Sequence, residues 1–207
     1  MSNKVSVIIV GINGWDEFTK PCIDSVLKHE PNIDLVVIDN DSEPSYQDAA
    51  YIHRVPRVSY AEAINLGMKF AIGDWYLSIN NDVICNAPFV NKIDVLNTDA
   101  VYGRQIITEK GHIWLGNWLA LIPRELVNKM GGFDKNFKKC GFEDADFCIR
   151  AMKSGYPTMP IDLPFTHLEG KTRWNDPDYP TVRQENINYF AQKHGFRLGN
   201  NMRVTHD

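Results

Sequence analysis

Residues 60–82 read YAEAINLGMKFAIGDWYLSINND, and the two halves of this stretch follow different periods. Ala61, Ile64, Met68 and Ala71 recur at helical spacing, which predicts a helix over Tyr60 to Ile72 that Gly73 ends. Trp75 to Ile79 is a short, nearly continuous apolar run, the pattern of a strand covered on both faces, as in parallel sheets. Asn80, Asn81 and Asp82 follow at its C-terminal end. A helix feeding a doubly buried strand is half of a βαβ unit.

The residues on the N-terminal side supply the other half. Val5 to Val10 is a β-branched run closed by Gly11 and reads as a first strand. A helix follows, with Thr19 as expected N-cap, Pro21 in the first turn, and Phe18 and Ile23 at the spacing of a hydrophobic staple. Ile23, Val26 and Leu27 share its apolar face. Leu35 to Ile38 reads as a second buried strand, ending in the turn-formers Asp39-Asn-Asp-Ser-Glu-Pro. Strand, helix, strand, helix, strand predicts an α/β fold with a mostly parallel central sheet flanked by helices. Its ligand edge lies at the strand C-termini, where Gly11, Asp39 and Asn80 to Asp82 gather.

The C-terminal half is less regular. Ala100 to Ile107 and Gly116 to Ile122 are expected strands, and Pro123 opens a short helix closed by Gly131-Gly132. Glu143 to Lys153 is an expected helix whose apolar stripe is Ala145, Cys148, Ile149 and Met152, which leaves Asp144 and Asp146 off the stripe. Thr166 to Pro180 reads as a polar loop. A last helix from about Thr181 to His194 precedes a polar tail, with 181–207 packed on or trailing a single domain over 1–207.

The 207 residues carry 22 Lys and Arg against 26 Asp and Glu, a net charge of −4. A generally basic nucleic-acid or membrane coat is excluded by that balance, although Lys129, Lys135, Lys138 and Lys139 cluster. Cys22, Cys85, Cys140 and Cys148 show neither zinc spacing nor a disulfide framework and fit a reducing compartment. No apolar run reaches the roughly 20 residues of a membrane span. The expectation is a soluble, cytoplasmic protein.

Gly11-Ile12-Asn13-Gly14 follows a strand but is not a dinucleotide fingerprint, and no Walker A lysine motif exists. Neither a nucleophile elbow nor a His-Glu-x-x-His zinc motif is present. Carboxylates remain. Asp82, after two amides, can hold a hard divalent cation that also meets phosphates, or can simply cap a turn. Asp39 can accept a hydrogen bond from a base or ribose, or organise its own turn. Glu143, Asp144 and Asp146 crowd a helix start, where the macrodipole favours acids and where a general base can also sit.

Taken together, VSVIIVGIN, DLVVIDNDS, YAEAINLGMKFAIGDWYLSINNDV, GNWLALIPRELVNKMGGFDKNF, GFEDADFCIRAMKSGY and ENINYFAQKHG resemble, in order, the family 2 glycosyltransferases of GT-A fold. The likeness is strongest to their rhamnosyltransferase-like branch. The resemblance implies an inverting transfer of a sugar from a nucleoside diphosphate, UDP or dTDP type, to a hydroxyl of a saccharide, assisted by Mn²⁺ or Mg²⁺. It implies that Asp144 is the base with Glu143 beside it, and that Asp82 ligates the metal with His167. It further assigns the sugar-nucleotide contacts to Gly11, Ile12, Asn13, Asp39, Asn65, Asn81, Asp82, Lys171 and Arg173. The family's first metal-motif acid is replaced by Asn80. Relative to the family, Ser45 to Val58 is compressed and C-terminal extensions are missing. Competing readings are a non-catalytic sugar-nucleotide or glycan-binding module and, last, a nucleotidyltransferase. Nucleic acid enters only as a modified-base acceptor, with protein as a further alternative acceptor.

Overall fold

Strand β1 (Val5–Gly11) is buried at every residue because it packs two cores at once. Val5, Val7 and Ile9 meet Cys22, Ile23 and Val26 of helix α1 (Lys20–His29) on one face. Ile8 and Val10 meet Ala61, Ile64 and Met68 of helix α2 (Tyr60–Phe70) on the other. Alternation with period two therefore leaves no polar face, and the sequence reads as a continuous apolar run. Gly67 lets α2 lie close on the sheet: a Cβ there would stand 2.5 Å from Ile8 Cγ2.

The computed structural model describes residues 4–108, 113–168, 177–197 and 202–203. The remaining elements are β2 (Asp34–Asn40), β3 (Ile52–Val55), β4 (Trp75–Asn80), β5 (Val83–Cys85), α3 (Val90–Ile93), β6 (Val101–Thr108), β7 (Ile113–Pro123), α4 (Arg124–Met130), α5 (Glu143–Lys153), β8 (Thr158–Pro160), β9 (Phe165–His167), α6 (Tyr179–His194) and β10 (Met202–Arg203). The main sheet runs β10-β6-β7-β4-β1-β2-β3, with β8 also pairing β6. Strands β3, β2, β1 and β4 are mutually parallel. Strand β7 lies antiparallel between β4 and β6. The fold is the expected mixed α/β architecture with a mostly parallel sheet between helices.

Several local expectations are corrected. Thr19 does not cap α1: its backbone is already helical and its side chain makes no cap bond, because one π-helical turn (Trp15–Thr19) runs into the helix. The Ser45–Val58 segment contains β3, which pairs β2 as an edge strand. The stretch read as a polar loop from Thr166 begins inside β9, and α6 starts at Tyr179. The apolar stripe of α5 is shifted: Phe147 and Ala151 are buried whereas Met152 is 45% exposed. Asp146, expected off the core face, is fully buried at 0% exposure.

Candidate active site

The loops after β1 and β2 are stitched to each other at the C-terminal edge of the sheet. Asp39, the penultimate residue of β2, is 1% exposed. Its Oδ1 accepts from Ser42 N at 2.9 Å and its Oδ2 from Tyr46 N at 3.0 Å. A carboxylate offers about four lone-pair sites, so this turn uses two of them. Asn13, at φ 54°, donates its N–H to Ser42 Oγ at 2.8 Å and accepts from Glu43 N at 2.8 Å. The Tyr46 hydroxyl donates to Asn13 O and lies 2.9 Å from Thr19 Oγ1. Burial raises the Tyr46 pKa, so the phenol keeps that proton. Gly11 is required here because a Cβ would run into Tyr46 and Thr19. Trp15 closes the group, its ring 5.0 Å from that of Tyr46.

The next strand end carries Asn80, Asn81 and Asp82. Asn81 Nδ2 donates to Thr19 Oγ1 at 3.0 Å, tying this turn to the first loop. Immediately beyond, β5 pairs antiparallel with β9 in register Val83↔His167. This short ribbon delivers His167 to Asp82 from 85 positions away: His167 Nε2 stands 3.2 Å from Asp82 Oδ1. Leu168 N also donates to Asp82 O at 2.9 Å. The imidazole is held flat against Trp118 of β7, rings 5.0 Å apart and 7° from parallel. Arg104 of β6 stands 5.9 Å from the same indole. Cys22, behind Asp82, is pushed up to about 12 by burial and stays a thiol.

A carboxylate oxygen suits both Mn²⁺ and Mg²⁺, and an imidazole nitrogen beside it favours a transition ion such as Mn²⁺ over Mg²⁺. Neighbouring ligands of an octahedral ion with bonds of about 2.1 Å lie about 3.0 Å apart, close to the 3.2 Å found between Asp82 and His167. These two donors therefore fit a divalent ion. Among the described residues no group of three His, Cys, Asp or Glu is assembled; phosphate and water can fill other positions of such an ion.

Facing this edge is the start of α5. Glu143 is 4% exposed and its carboxylate accepts from Gly141 N, folding the chain back on itself. Asp144 is partly exposed and accepts from Ala145 N at 2.8 Å. The preceding loop has positive φ at Lys139 (47°), Gly141 (106°) and Phe142 (74°), two of them unfavourable for side-chain-bearing residues. What holds it is Asn186 of α6, 1% exposed. Its Oδ1 accepts from Lys138 N at 2.9 Å, and its Nδ2 donates to the carbonyls of Lys138 (2.9 Å), Cys140 (3.3 Å) and Gly141 (3.0 Å). Tyr60 bridges the two sides: its N–H donates to Lys139 O at 2.6 Å and its hydroxyl to Asn80 Oδ1 at 3.1 Å. Burial, then the charges of Glu143 and Asp144, raise its pKa strongly.

Of the residues expected from sequence, Gly11, Asn13, Asn81, Asp82 and His167 share this edge, with Asp39 beneath it and Ile12 half-buried between Gly11 and Asn13. Asn65 is placed differently: both ends of its amide pair with the Phe133 backbone, at 2.8 and 2.7 Å. Lys171 and Arg173 lie outside the described residues. Thr19, Tyr46, Tyr60, Trp118 and Asn186 were not foreseen. For Tyr46 the signal available was a large aromatic amid turn-formers; for Asn186, an amide in the middle of a helix, there was none.

The profile of glycosyl transferase family 2 matches residues 6–154. Among solved structures, the chain is similar to the mannosyltransferase PcManGT from Pyrobaculum calidifontis in complex with GDP-Man and Mn²⁺. The TM-score is 0.68 at 17% identity, covering 95% of this chain and 65% of that one. It is also similar to the catalytic domain of Drosophila β1,4-galactosyltransferase 7 in complex with xylobiose, with TM-score 0.57 at 17% identity over 84% and 74%. A mutant of that enzyme with manganese, UDP-Gal and xylobiose gives TM-score 0.58 at 16% identity over 87% and 79%. These likenesses establish the GT-A fold. Among curated proteins, none matches.

Proposed function

The chain belongs to glycosyl transferase family 2, and on that premise we propose that it transfers a sugar from a nucleoside-diphosphate sugar to an acceptor hydroxyl with inversion. The observation that carries this reading is the pairing of Asp82 with His167 at 3.2 Å across from the Glu143–Asp144 helix start, the two sides joined through Tyr60.

The chain's own residues divide the work. The two stitched loops receive the nucleoside, with Asp39 shaping the turn and retaining lone pairs for a base or ribose. Asp82 and His167 would hold Mn²⁺ or Mg²⁺, which when bound neutralises charge developing on the departing diphosphate. Lys171 and Arg173 are assigned to the same diphosphate. Asp144 is the group assigned as base, because Glu143 is committed to Gly141 N and is the more buried of the two. Asp144 takes the acceptor's proton as that oxygen bonds to the anomeric carbon and the bond to the diphosphate breaks. The helix N-terminus favours a negatively charged side chain at this position. UDP or dTDP, a hexose or deoxyhexose, a rhamnosyltransferase-like specificity and a saccharide acceptor are the finer assignments, and residues 1–207 are taken as one catalytic unit. Among the described residues no helix is long and apolar enough to cross a membrane, and the cytoplasm is the proposed location.

A thermal-shift panel of UDP-, dTDP-, GDP- and CMP-sugars with and without Mn²⁺ tests the reading. One class should stabilise the protein by about 2.7 kcal/mol at 100 times its Kd, and more with metal. The absence of stabilisation by every sugar nucleotide in Mn²⁺ defeats it. Retained anomeric configuration in the product would defeat inversion alone.

A further inference from the structure

Asn80 occupies the first position of the strand-end triplet whose last member is Asp82, and its amide has a defined orientation. The Tyr60 hydroxyl donates to Asn80 Oδ1 at 3.1 Å. The opposite end, Nδ2, lies 3.5 Å from His167 Nε2, and that nitrogen is itself 3.2 Å from Asp82 Oδ1. Oxygen is thus turned toward Tyr60, and the NH₂ group is turned toward the place where Asp82 and His167 converge.

Tyr60 is suited to impose this orientation. Its backbone is anchored as the first residue of α2 and by its own N–H on Lys139 O at 2.6 Å. A buried phenol beside Glu143 and Asp144 resists ionisation, so its single proton stays available to donate. With the amide reversed, an N–H of the amide would face the phenol oxygen and the phenol proton would be left with only the Ser78 hydroxyl as its partner. An amide nitrogen has no lone pair to give a cation, and its protons carry partial positive charge. Such a group cannot ligate Mn²⁺, but it can donate hydrogen bonds to an anion.

We propose that Asn80, locked by Tyr60, is a hydrogen-bond donor to the diphosphate rather than a metal ligand. The proposal rests on the glycosyltransferase reading and deepens it by assigning a different job to one residue of the metal motif. Two consequences follow from the charge count. The triplet contributes one negative charge instead of two, so a nucleoside diphosphate is tolerated there without metal. The ion has only Asp82 and His167 from the described chain, so metal and nucleotide bind mainly as a pair, each strengthening the other by the same factor.

The experiment is calorimetry of UDP, dTDP and GDP binding in EDTA and in Mn²⁺, with Mn²⁺ binding followed separately by the loss of its free-ion electron paramagnetic resonance signal. The probe is whichever nucleotide binds wild type most tightly. Asn80→Ala should weaken metal-free binding about tenfold, the value of a hydrogen bond to a charged partner. Asn80→Asp should weaken it further while tightening Mn²⁺ binding in the absence of nucleotide. Tyr60→Phe should cost about threefold in metal-free affinity on wild type and nothing further on Asn80→Ala, because it acts through that amide. Metal-free affinity unchanged in Asn80→Ala overturns the proposal, even if Asn80→Asp weakens binding, since charge repulsion alone would explain the latter. Mn²⁺ affinity lost in Asn80→Ala without nucleotide also overturns it, by making Asn80 a ligand. If none of UDP, dTDP and GDP binds wild type even with Mn²⁺, the nucleoside-diphosphate-sugar reading fails and takes this inference with it.

Discussion

Two loops flank the candidate site, and each is shaped by one buried polar side chain of 1% exposure. In the loop after β2, Asp39 binds the N–H groups of Ser42 and Tyr46, three and seven residues ahead. In the loop before α5, Asn186 binds Lys138, Cys140 and Gly141, 45 to 48 residues behind. The first loop is folded by its own neighbours. The second is folded by a helix that must first dock, and that docking depends on charge: Asp146 in α5 meets Lys193 and His194 of α6 at 2.7 and 2.8 Å and Arg150 at 2.8 Å. The nucleotide side should therefore persist when the C-terminal helix loosens, whereas the acidic pair should lose its geometry.

The largest expected effect separates the two sides chemically. Asp144→Asn preserves shape and removes the assigned base, so transfer should fall about 10²–10⁴-fold while nucleotide affinity by calorimetry stays at the wild-type value. A parallel loss of nucleotide affinity would mean that the sides are not separable. Next comes docking itself. Asp146→Ala leaves Arg150, Lys193 and His194 facing one another without their carboxylate, and urea unfolding should show a loss of about 3 kcal/mol or more. A loss below about 1 kcal/mol would show that the ion cluster does not hold α6.

A matched pair of variants sharpens the contrast at smaller cost. Asn186→Ala and Asp39→Ala each orphan buried backbone groups, at about 1–3 kcal/mol. Asn186→Ala should lower kcat with nucleotide affinity intact, because it releases the chain leading to Glu143 and Asp144. Asp39→Ala should weaken nucleotide binding about tenfold or more and leave the rate at saturating donor closer to wild type. Identical kinetic signatures from both variants would erase the distinction between a local and a remote anchor.

The same distinction accounts for what could be read from the sequence. The strands β1, β2 and β4 are covered on both faces, so their apolar runs are visible residue by residue, and the polar residues at their ends mark the site edge. Asp39 and Asp82 stand out for that reason. His167 was assigned by family likeness, and the ribbon that carries it to Asp82 left no local trace because β5 and β9 are three residues each. Asp146 was misread through the same limit: helical periodicity sorts apolar from polar, so a buried carboxylate looks like a surface one until its cations arrive from α6. Asn65 shows the converse, a polar residue near the site edge in sequence order that the fold spends on the Phe133 backbone. Pairings between residues tens of positions apart are set by tertiary packing and are silent in any short window.

The smallest expected effect tests whether the remote anchor titrates. Asp134, at the foot of the α6 cluster, receives Lys193 Nζ, Tyr189 Oη at 2.8 Å and Asn136 N at 3.0 Å. Burial alone would push its carboxyl up, but the Lys193 ammonium and these two donors outweigh burial and hold it at about 2, below the ordinary carboxylate range. A folded-state pKa below the unfolded one means that the unfolded chain binds the proton first. The contribution is therefore complete above about pH 4, declines as pH falls, and is gone below about pH 2. The Asp134 side chain keeps 14% exposure and that of Lys193 27%, so after partial screening by solvent the effect should be about 1 kcal/mol or less. Melting temperatures between pH 5 and pH 2 should fall more steeply for wild type than for Asp134→Asn, the two curves converging at the acid end. Parallel curves would mean that Lys193 is held by Asp146 alone and that Asp134 takes no part in seating α6.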